Sequence, residues 1–298
     1  MKKAKFICPV VTAFEKDGAL DVEANKKLWD ILIESGIDGI LIMGSIGEFA
    51  AMSDAMKKEL VKLAVAHINK RVKVYIGTAS MIVSDTVEFS NYALAAGADA
   101  VMVISPYYFA ISDAAVEYYF DQIAQGVKGE VYLYNFPART GYDLSPEVTL
   151  KLLRKHKNIK GYKDSVSEMG HTRKLATTVL PEFPDFEIYS GFDENFVHNL
   201  LSGGSGCIGG FANVAPALCA RWTAAINGGD WKAVEEIQKQ VNVLMDIYFV
   251  GNPFIPIIKK AMILLGLPIQ DYSLNPFLPA TAEETEKTKA ILKRAGLL

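Results

Sequence analysis

A lysine and a tyrosine stand at the ends of two apolar runs. Lys163 closes Ile159-Lys160-Gly161-Tyr162-Lys163-Asp164, and Tyr134 lies in Val131-Tyr132-Leu133-Tyr134-Asn135-Phe136-Pro137. An amine condenses with a ketone to give an imine, and a phenol can move the protons that this requires. An ordinary lysine is protonated at neutral pH and does not attack carbonyls. Among Ile159, Tyr162 and Tyr134, an ammonium at a strand end would be poorly solvated, which favours the free amine. The plain alternatives are a lysine that escapes to solvent and a core tyrosine satisfied by a backbone group.

Other segments carry compatible chemistry. Asn135-Phe136-Pro137-Ala138-Arg139-Thr140-Gly141 places Arg139 on a loop just past Tyr134, where its planar fork can bind a carboxylate. Gly44-Ser45-Ile46-Gly47-Glu48 follows an apolar run, and its glycines free backbone N–H groups, including those of Ile46 and Gly47, to face an anion. The Ser45 hydroxyl could join a proton relay there, although a tight turn accounts equally well for the glycines. Pro106-Tyr107-Tyr108 is an aromatic loop whose simpler reading is packing. Gly204-x-Gly206-x-x-Gly209 matches the dinucleotide fingerprint by letter. It enters a strand from a helix, whereas the fingerprint needs a strand that leads into a helix. His67, His156, His171 and His198 are scattered without an i, i+4 pair, which argues against a histidine metal site.

These residues need elements to position them. Short apolar runs predict strands at Phe6–Val11, Gly39–Met43, Val72–Ile76, Ala100–Ile104, Val131–Tyr134, Ile159–Lys163, Phe186–Tyr189 and Gly206–Ile208. Amphipathic stretches between them predict helices, among them Val22–Ser35, Asp54–Ile68, Asp85–Ala96, Ala114–Gly126 and Pro146–His156. Ser53, Ser84 and Ser145-Pro146 read as helix starts, and Gly36, Gly97, Gly126 and Gly203 as helix ends. Eight strand–helix alternations point to α/β architecture closed as a (β/α)₈ TIM barrel, rather than a doubly wound open sheet. The expected barrel covers residues 1–225 and carries the catalysis. A C-terminal helical domain is expected over 226–298, with helices at Asp230–Val250, Pro256–Leu265 and Ala282–Ala295. In such barrels the chemistry sits at the strand C-termini and the loops that follow, which is where Lys163, Tyr134, Ser45, Tyr108 and Arg139 fall.

Composition narrows the class. Half of the 298 residues are hydrophobic and the net charge is −3, so there is no basic stripe to attract nucleic acid. Cys8, Cys207 and Cys219 are odd in number and lack C-x-x-C spacing, which fits a reducing compartment without a disulfide framework or cysteine zinc site. The apolar stretch after Lys2, Lys3 and Lys5 is too short for a signal-peptide core, and no window suits a membrane span. A cytoplasmic protein that binds neither membrane nor nucleic acid is the expectation.

Taken together, the segments resemble the family of dihydrodipicolinate synthase and N-acetylneuraminate lyase over nearly the whole chain. The family's Gly-[Ser/Thr]-Thr-Gly-Glu turn corresponds to Gly44–Glu48, its Pro-Tyr-Tyr loop to Pro106–Tyr108 and its Tyr-Asn-x-Pro segment to Tyr134–Pro137. Its Gly-x-Lys-[Asp/Glu] segment corresponds to Gly161–Asp164, and its late glycine-rich strand to Gly206-Cys207-Ile208. The resemblance implies a TIM barrel with a helical C-terminal domain, a homotetramer, and no metal or organic cofactor. It implies a Schiff base between Lys163 and pyruvate or another 2-oxo acid, with Tyr134 as proton shuttle assisted by Ser45. Tyr108 resembles the tyrosine that reaches into a neighbouring subunit. Backbone groups at Ser45, Ile46 and Gly47 would hold the carboxylate, and the Ile208 carbonyl would lie near the imine. One departure stands out. The family's second turn hydroxyl, a threonine, is Ile46 here, which removes a hydrogen bond worth about 1.5–3 kcal/mol to a charged partner.

The resemblance also ranks substrates. Arg139 matches the arginine with which the synthases hold aspartate semialdehyde. Ser45 and Gly191-Phe192-Asp193-Glu194 look more like the lyase side, where such a segment binds sugar hydroxyls. Asp193 and Glu194 could hold a polyol tail there, or simply complement a helix dipole. Tyr134–Asp143 looks like aldolases of 2-keto-3-deoxy sugar acids, and Gly210 and Phe211 replace a serine of the sialic acid lyases. A pyruvate-releasing aldolase for a 2-keto-3-deoxy sugar acid or related 4-hydroxy-2-oxo acid is the leading expectation, with dihydrodipicolinate synthase second. A catalytically silent 2-oxo-acid sensor, suggested by Ile46, is the alternative of another class. An NAD-dependent oxidoreductase rests on the misplaced glycine fingerprint alone.

Overall fold

The structure, a computed structural model, describes residues 2–298. Eight strands appear in chain order: β1 (Lys5–Pro9), β2 (Gly39–Ile42), β3 (Lys73–Gly77), β4 (Ala100–Ile104), β5 (Val131–Asn135), β6 (Ile159–Asp164), β7 (Glu187–Ser190) and β8 (Gly206–Ile208). They close as a barrel in that same order, with helices alternating between them, so the chain is a (β/α)₈ barrel with further helices after β8. Parallel strands covered on both faces read as continuous apolar runs rather than alternating ones. β4 (Ala-Val-Met-Val-Ile) is buried at every position. The expected strand ends shift by a residue or two. β5 and β6 take in the polar Asn135 and Asp164, because those two residues are themselves register partners.

Local chemistry sets the helix starts. Ser53 accepts a hydrogen bond from the Met56 amide and Ser145 one from Val148, with Pro146 in the first turn. Ser84, expected as a cap, is not one. The helix runs Val83–Ala95 and begins after Ile82, without a side-chain cap. Thr86 explains the shift: its hydroxyl accepts from the Ser80 amide and lies within bonding distance of the Ile82 carbonyl, which draws Ser84 into the first turn. The expected helix Asp230–Val250 is an α-helix only over Trp231–Leu244, and its last part, Met245–Phe249, tightens to 3₁₀ geometry. Helices follow at Ile255–Leu264 and at Ala282–Arg294, the latter started by a Thr281/Glu284 capping box.

The chain divides into two compact units. One comprises Lys73–Ile208 with the N-terminal residues through Lys5, and so carries β3 to β8. Its largest buried side chains include Tyr75, Tyr132, Tyr162, Tyr189, Phe120 and Phe196. Within it β6 approaches its neighbours as only glycine permits: a Cβ at Gly161 would lie 2.3 Å from the Tyr132 ring and 2.9 Å from the Glu187 carbonyl. The other unit comprises Phe6–Val72 and Gly209–Leu298, with β2, most of β1 and the C-terminal helices. It is built around Phe6, Phe14, Trp29, Phe211 and Trp222. Three thiols are buried: Cys8 on β1, Cys207 on β8, and Cys219 on the helix Pro216–Gly228. Among the described residues no helix is long and apolar enough to cross a membrane. Nor does any cluster of three His, Cys, Asp or Glu side chains among them form a metal site.

Candidate active site

Neighbouring strands bring the lysine and the tyrosine together. Tyr134 on β5 and Lys163 on β6 are register partners, and the Lys163 Nζ lies 4.4 Å from the centroid of the Tyr134 ring. Lys163 is 4% exposed and Tyr134 5%, so the amine sits inside the molecule against an aromatic face. The short helix Pro137–Thr140 follows β5 and presents Arg139. Its guanidinium lies 5.7 Å from the Phe136 ring, which stacks at 6.0 Å on Tyr134 and meets Phe192 edge-on at 6.3 Å. Phe192 leads into the single turn Asp193–Asn195, which follows β7. Asp193 there is buried, and burial pushes the half-buried Glu194 carboxyl above its usual range against an opposing backbone hydrogen bond. Ile208 ends β8 and is buried. Tyr108 is the outlier, 86% exposed on the loop after β4 with φ at 86°, beside exposed Phe109.

Behind the pair lies a polar network. Successive strand residues point to opposite faces, so Asn135 and Asp164 turn away from Tyr134 and Lys163. Asn135 accepts from the Leu144 amide at 3.0 Å and donates to Asp143 at 2.6 Å. His171, on the helix Met169–Val179, sets Nε2 3.1 Å from Asp143 and Nδ1 2.9 Å from Asp164, and Thr172 donates to Asp164 at 2.8 Å. Burial opposes charge on His171. The hydrogen bonds and charges of Asp143 and Asp164 prevail, and its pKa is pushed up to about 10. Burial would likewise raise the Asp143 carboxyl, but the His171 interaction outweighs it and holds that group below its usual range.

The second unit holds the glycine-rich turn. Ser45–Gly47 forms one 3₁₀ turn after β2, flanked by Met43 with φ at 57° and Glu48 with φ at 62°. Left-handed backbone costs a non-glycine residue roughly 1–2 kcal/mol, and such strain gathers at functional loops. Gly47 packs closely: a Cβ there would lie 3.2 Å from the Val10 carbonyl, which would have to give by a few tenths of an ångström, and its own carbonyl accepts from Thr12 at 2.9 Å. Ile46 is 4% exposed. A Cβ at Gly210 would come within 3.6 Å of the Ile46 methyl and 2.3 Å of the Tyr248 hydroxyl, so a larger residue there would have to displace the Tyr248 side chain. The turn is anchored from below. The Glu48 carboxylate accepts from Lys259 at 2.5 Å and from the Leu274 amide at 2.8 Å, and Lys259 also donates to the Tyr272 carbonyl. Both charged side chains are fully buried, and burial draws the Lys259 ammonium below its ordinary range although Glu48 opposes this.

The whole chain has relatives of known sequence and structure. Residues 2–295 match the dihydrodipicolinate synthetase family. The chain belongs to that family. It is therefore an enzyme of the aldolase and lyase type that the family comprises. It is 37% identical, over all of its length and 99% of the relative's, to "Probable 2-dehydro-3-deoxy-D-pentonate aldolase YjhH" of Escherichia coli K12. It is 32% identical to a 4-hydroxy-tetrahydrodipicolinate synthase of Kosmotoga olearia, covering 97% of each chain. A crystal structure of YagE from E. coli K12, a prophage protein of the same family in complex with pyruvate, superposes with a TM-score of 0.96 at 35% identity over 99% of both chains. The sequence pattern did not single out Asp143 or Lys259, and it read His171 only as one of four scattered histidines. Lys259 and Glu48 are 211 positions apart, and no local pattern joins them. For His171 the available signal was its place at the start of the helix after β6, facing the strand that ends in Asp164.

Proposed function

We propose that this enzyme is a pyruvate-releasing aldolase that cleaves a 2-keto-3-deoxy sugar acid through a Schiff base on Lys163. The observation that carries the reading is the buried amine held 4.4 Å from the Tyr134 ring. Lys163 Nζ adds to the C2 carbonyl, Tyr134 delivers a proton to the carbinolamine oxygen, and water leaves to give the protonated imine. Tyr134, relayed by Ser45, then takes the proton of the C4 hydroxyl. The C3–C4 bond breaks, its electron pair moves to the iminium nitrogen, and the aldehyde departs. The resulting enamine takes a proton at C3, and water hydrolyses the pyruvate imine to restore the amine. The turn Ser45-Ile46-Gly47 is assigned to the substrate carboxylate, the Ile208 carbonyl to the region of the imine, and Asp193 and Glu194 to the hydroxyls of the sugar tail.

The aldolase relative of pentonate type at 37% identity supports this choice of substrate. Arg139, poised over Phe136, favours a second reading as dihydrodipicolinate synthase, in which it would hold the carboxylate of aspartate semialdehyde. The exposed, left-handed Tyr108, with exposed Phe109, Met81 and Ile82 near it in sequence or space, supports a homotetramer in which this loop meets a second copy. Composition and its three buried thiols suit a cytoplasmic setting.

Pyruvate release from 2-keto-3-deoxypentonate, 2-keto-3-deoxygluconate and N-acetylneuraminate, measured beside the synthase reaction, tests the ranking. A deoxy sugar acid is expected to turn over fastest. Faster turnover of aspartate semialdehyde would reverse the order. Pyruvate with borohydride should leave an adduct on Lys163, and an adduct without turnover of any substrate would identify a 2-oxo-acid sensor.

A further inference from the structure

The residues that back the catalytic pair form a closed clasp. Asn135 follows Tyr134 on β5, Asp164 follows Lys163 on β6, and the two are register partners at the last rung. Asn135 reaches Asp143, Asp143 reaches His171, and His171 returns to Asp164 at distances of 2.6, 3.1 and 2.9 Å. The chain of contacts therefore leaves one strand end, passes through a loop and a helix, and arrives at the neighbouring strand end. Four anchors fix its parts: the Leu144 amide on Asn135, the Thr172 hydroxyl on Asp164, the Ser165 amide on the Asn135 carbonyl, and the Gly191 amide on the Asp164 carbonyl. The second carboxylate oxygen of Asp164 is buried without a hydrogen-bond partner. The charge of that group leans on His171 and Thr172.

We infer that His171 is a positioning residue for imine formation: by bridging Asp143 and Asp164 it locks the ends of β5 and β6 and holds Tyr134 against the Lys163 amine. The inference rests on Lys163 being the imine-forming residue. Nucleophile and proton donor sit on different strands, so their separation depends on the rung that carries both. A shift of about 1 Å in such a pair can cost on the order of 100-fold in rate. His171 bridges two carboxylates at once only as the doubly protonated ring. Its charged neighbours allow that form. Asp143 and Asp164 face it directly. Two cations follow on the same helix: Arg173 is exposed, and Lys174 pairs with Glu147 at 3.0 Å, while Glu168 meets His171 through a backbone bond. The Tyr162 phenol, on the same strand as Asp164, donates to the Leu144 carbonyl.

Two variants test this: His171→Gln, which removes the bridge, and Asp143→Asn, which keeps its shape but removes one charge. The readouts are the rate of borohydride-trapped pyruvate adduct, kcat and KM for pyruvate release, and the pH profile of kcat. His171→Gln should slow adduct formation and lower kcat by about 10- to 100-fold, with KM changed less than about 3-fold. Asp143→Asn should lose less at pH 7 and move the alkaline limb of kcat down by about 1 pH unit or more. If His171→Gln does not fold, Asp143→Asn decides alone. Parent-like adduct rates and a parent-like alkaline limb in folded variants would overturn the inference and leave the Lys163 reading intact. A parent enzyme that forms no adduct on Lys163 would instead remove the reading on which the inference stands.

Discussion

Lys163 is buried against the Tyr134 face. Lys163→Ala is expected to abolish the borohydride-trapped pyruvate adduct in mass spectra and to lower kcat by roughly 10³-fold or more. Retained turnover would exclude covalent catalysis. Glu194 tests the sugar side. Burial holds its carboxyl above the usual range, so a substrate hydroxyl that donates to it would relieve an unfavourable charge. Glu194→Gln should raise KM for the sugar acid by about 10-fold, the equivalent of one hydrogen bond to a charged group, while adduct formation with pyruvate stays unchanged. At this scale the sequence pointed to the groups proposed to do the chemistry but not to the side chains packed behind them. Lys163 and Tyr134 announce themselves as polar residues that close apolar runs. His171 looked scattered, since its two partners lie 7 and 28 positions away on other segments.

The glycine-rich turn Ser45–Gly47, proposed above to hold the substrate carboxylate, is braced by a buried ion pair. Glu48 reaches from the turn to Lys259 on the helix Ile255–Leu264, and to the Leu274 amide. Removing one partner leaves the other charged and buried, which costs about 3–5 kcal/mol. Lys259→Met should therefore lower the urea midpoint by that equivalent, and Lys259→Met with Glu48→Leu should recover part of it. Equal stability of the single variant and the parent would show that the pair does not brace the turn. Strand placement was legible where a strand is an apolar run, as in β4, or carries an apolar centre, as in β3. The ends were less so. Asn135 and Asp164 belong to β5 and β6 through a pairing that polarity conceals. Ser84 looks like a cap, but Thr86 satisfies the backbone at the start of its helix.

For the molecule as a whole, stability is expected to peak in mildly acidic solution. His171 is raised from 6.5 to about 10 on folding, so its contribution is complete below 6.5 and is lost as pH rises through about 10. Asp143 and Glu187 go the other way. Burial alone would raise both carboxyls, but His171 and Lys5 respectively hold them low. Their contribution is present above the ordinary carboxylate range and fades as pH falls through their folded values. The melting temperature should be highest at about pH 5–6.5 and decline toward pH 10, and His171→Gln should flatten that alkaline decline. A melting temperature that rises from pH 7 to 10 would contradict the assignment. The barrel itself was legible from eight alternations. Its division into two compact units was not, because that depends on which contacts the chain makes far from its own sequence neighbourhood.

The three shielded sulfurs give this barrel built-in clocks. A maleimide or disulfide reagent can modify Cys8, Cys207 or Cys219 only when the covering strand or helix opens. One marks β8 in the first unit, and the other two mark β1 and a helix of the second. Peptide mapping after timed exposure would give three rates: a common value would mean cooperative opening, and a divergent Cys207 would mean that the units breathe separately.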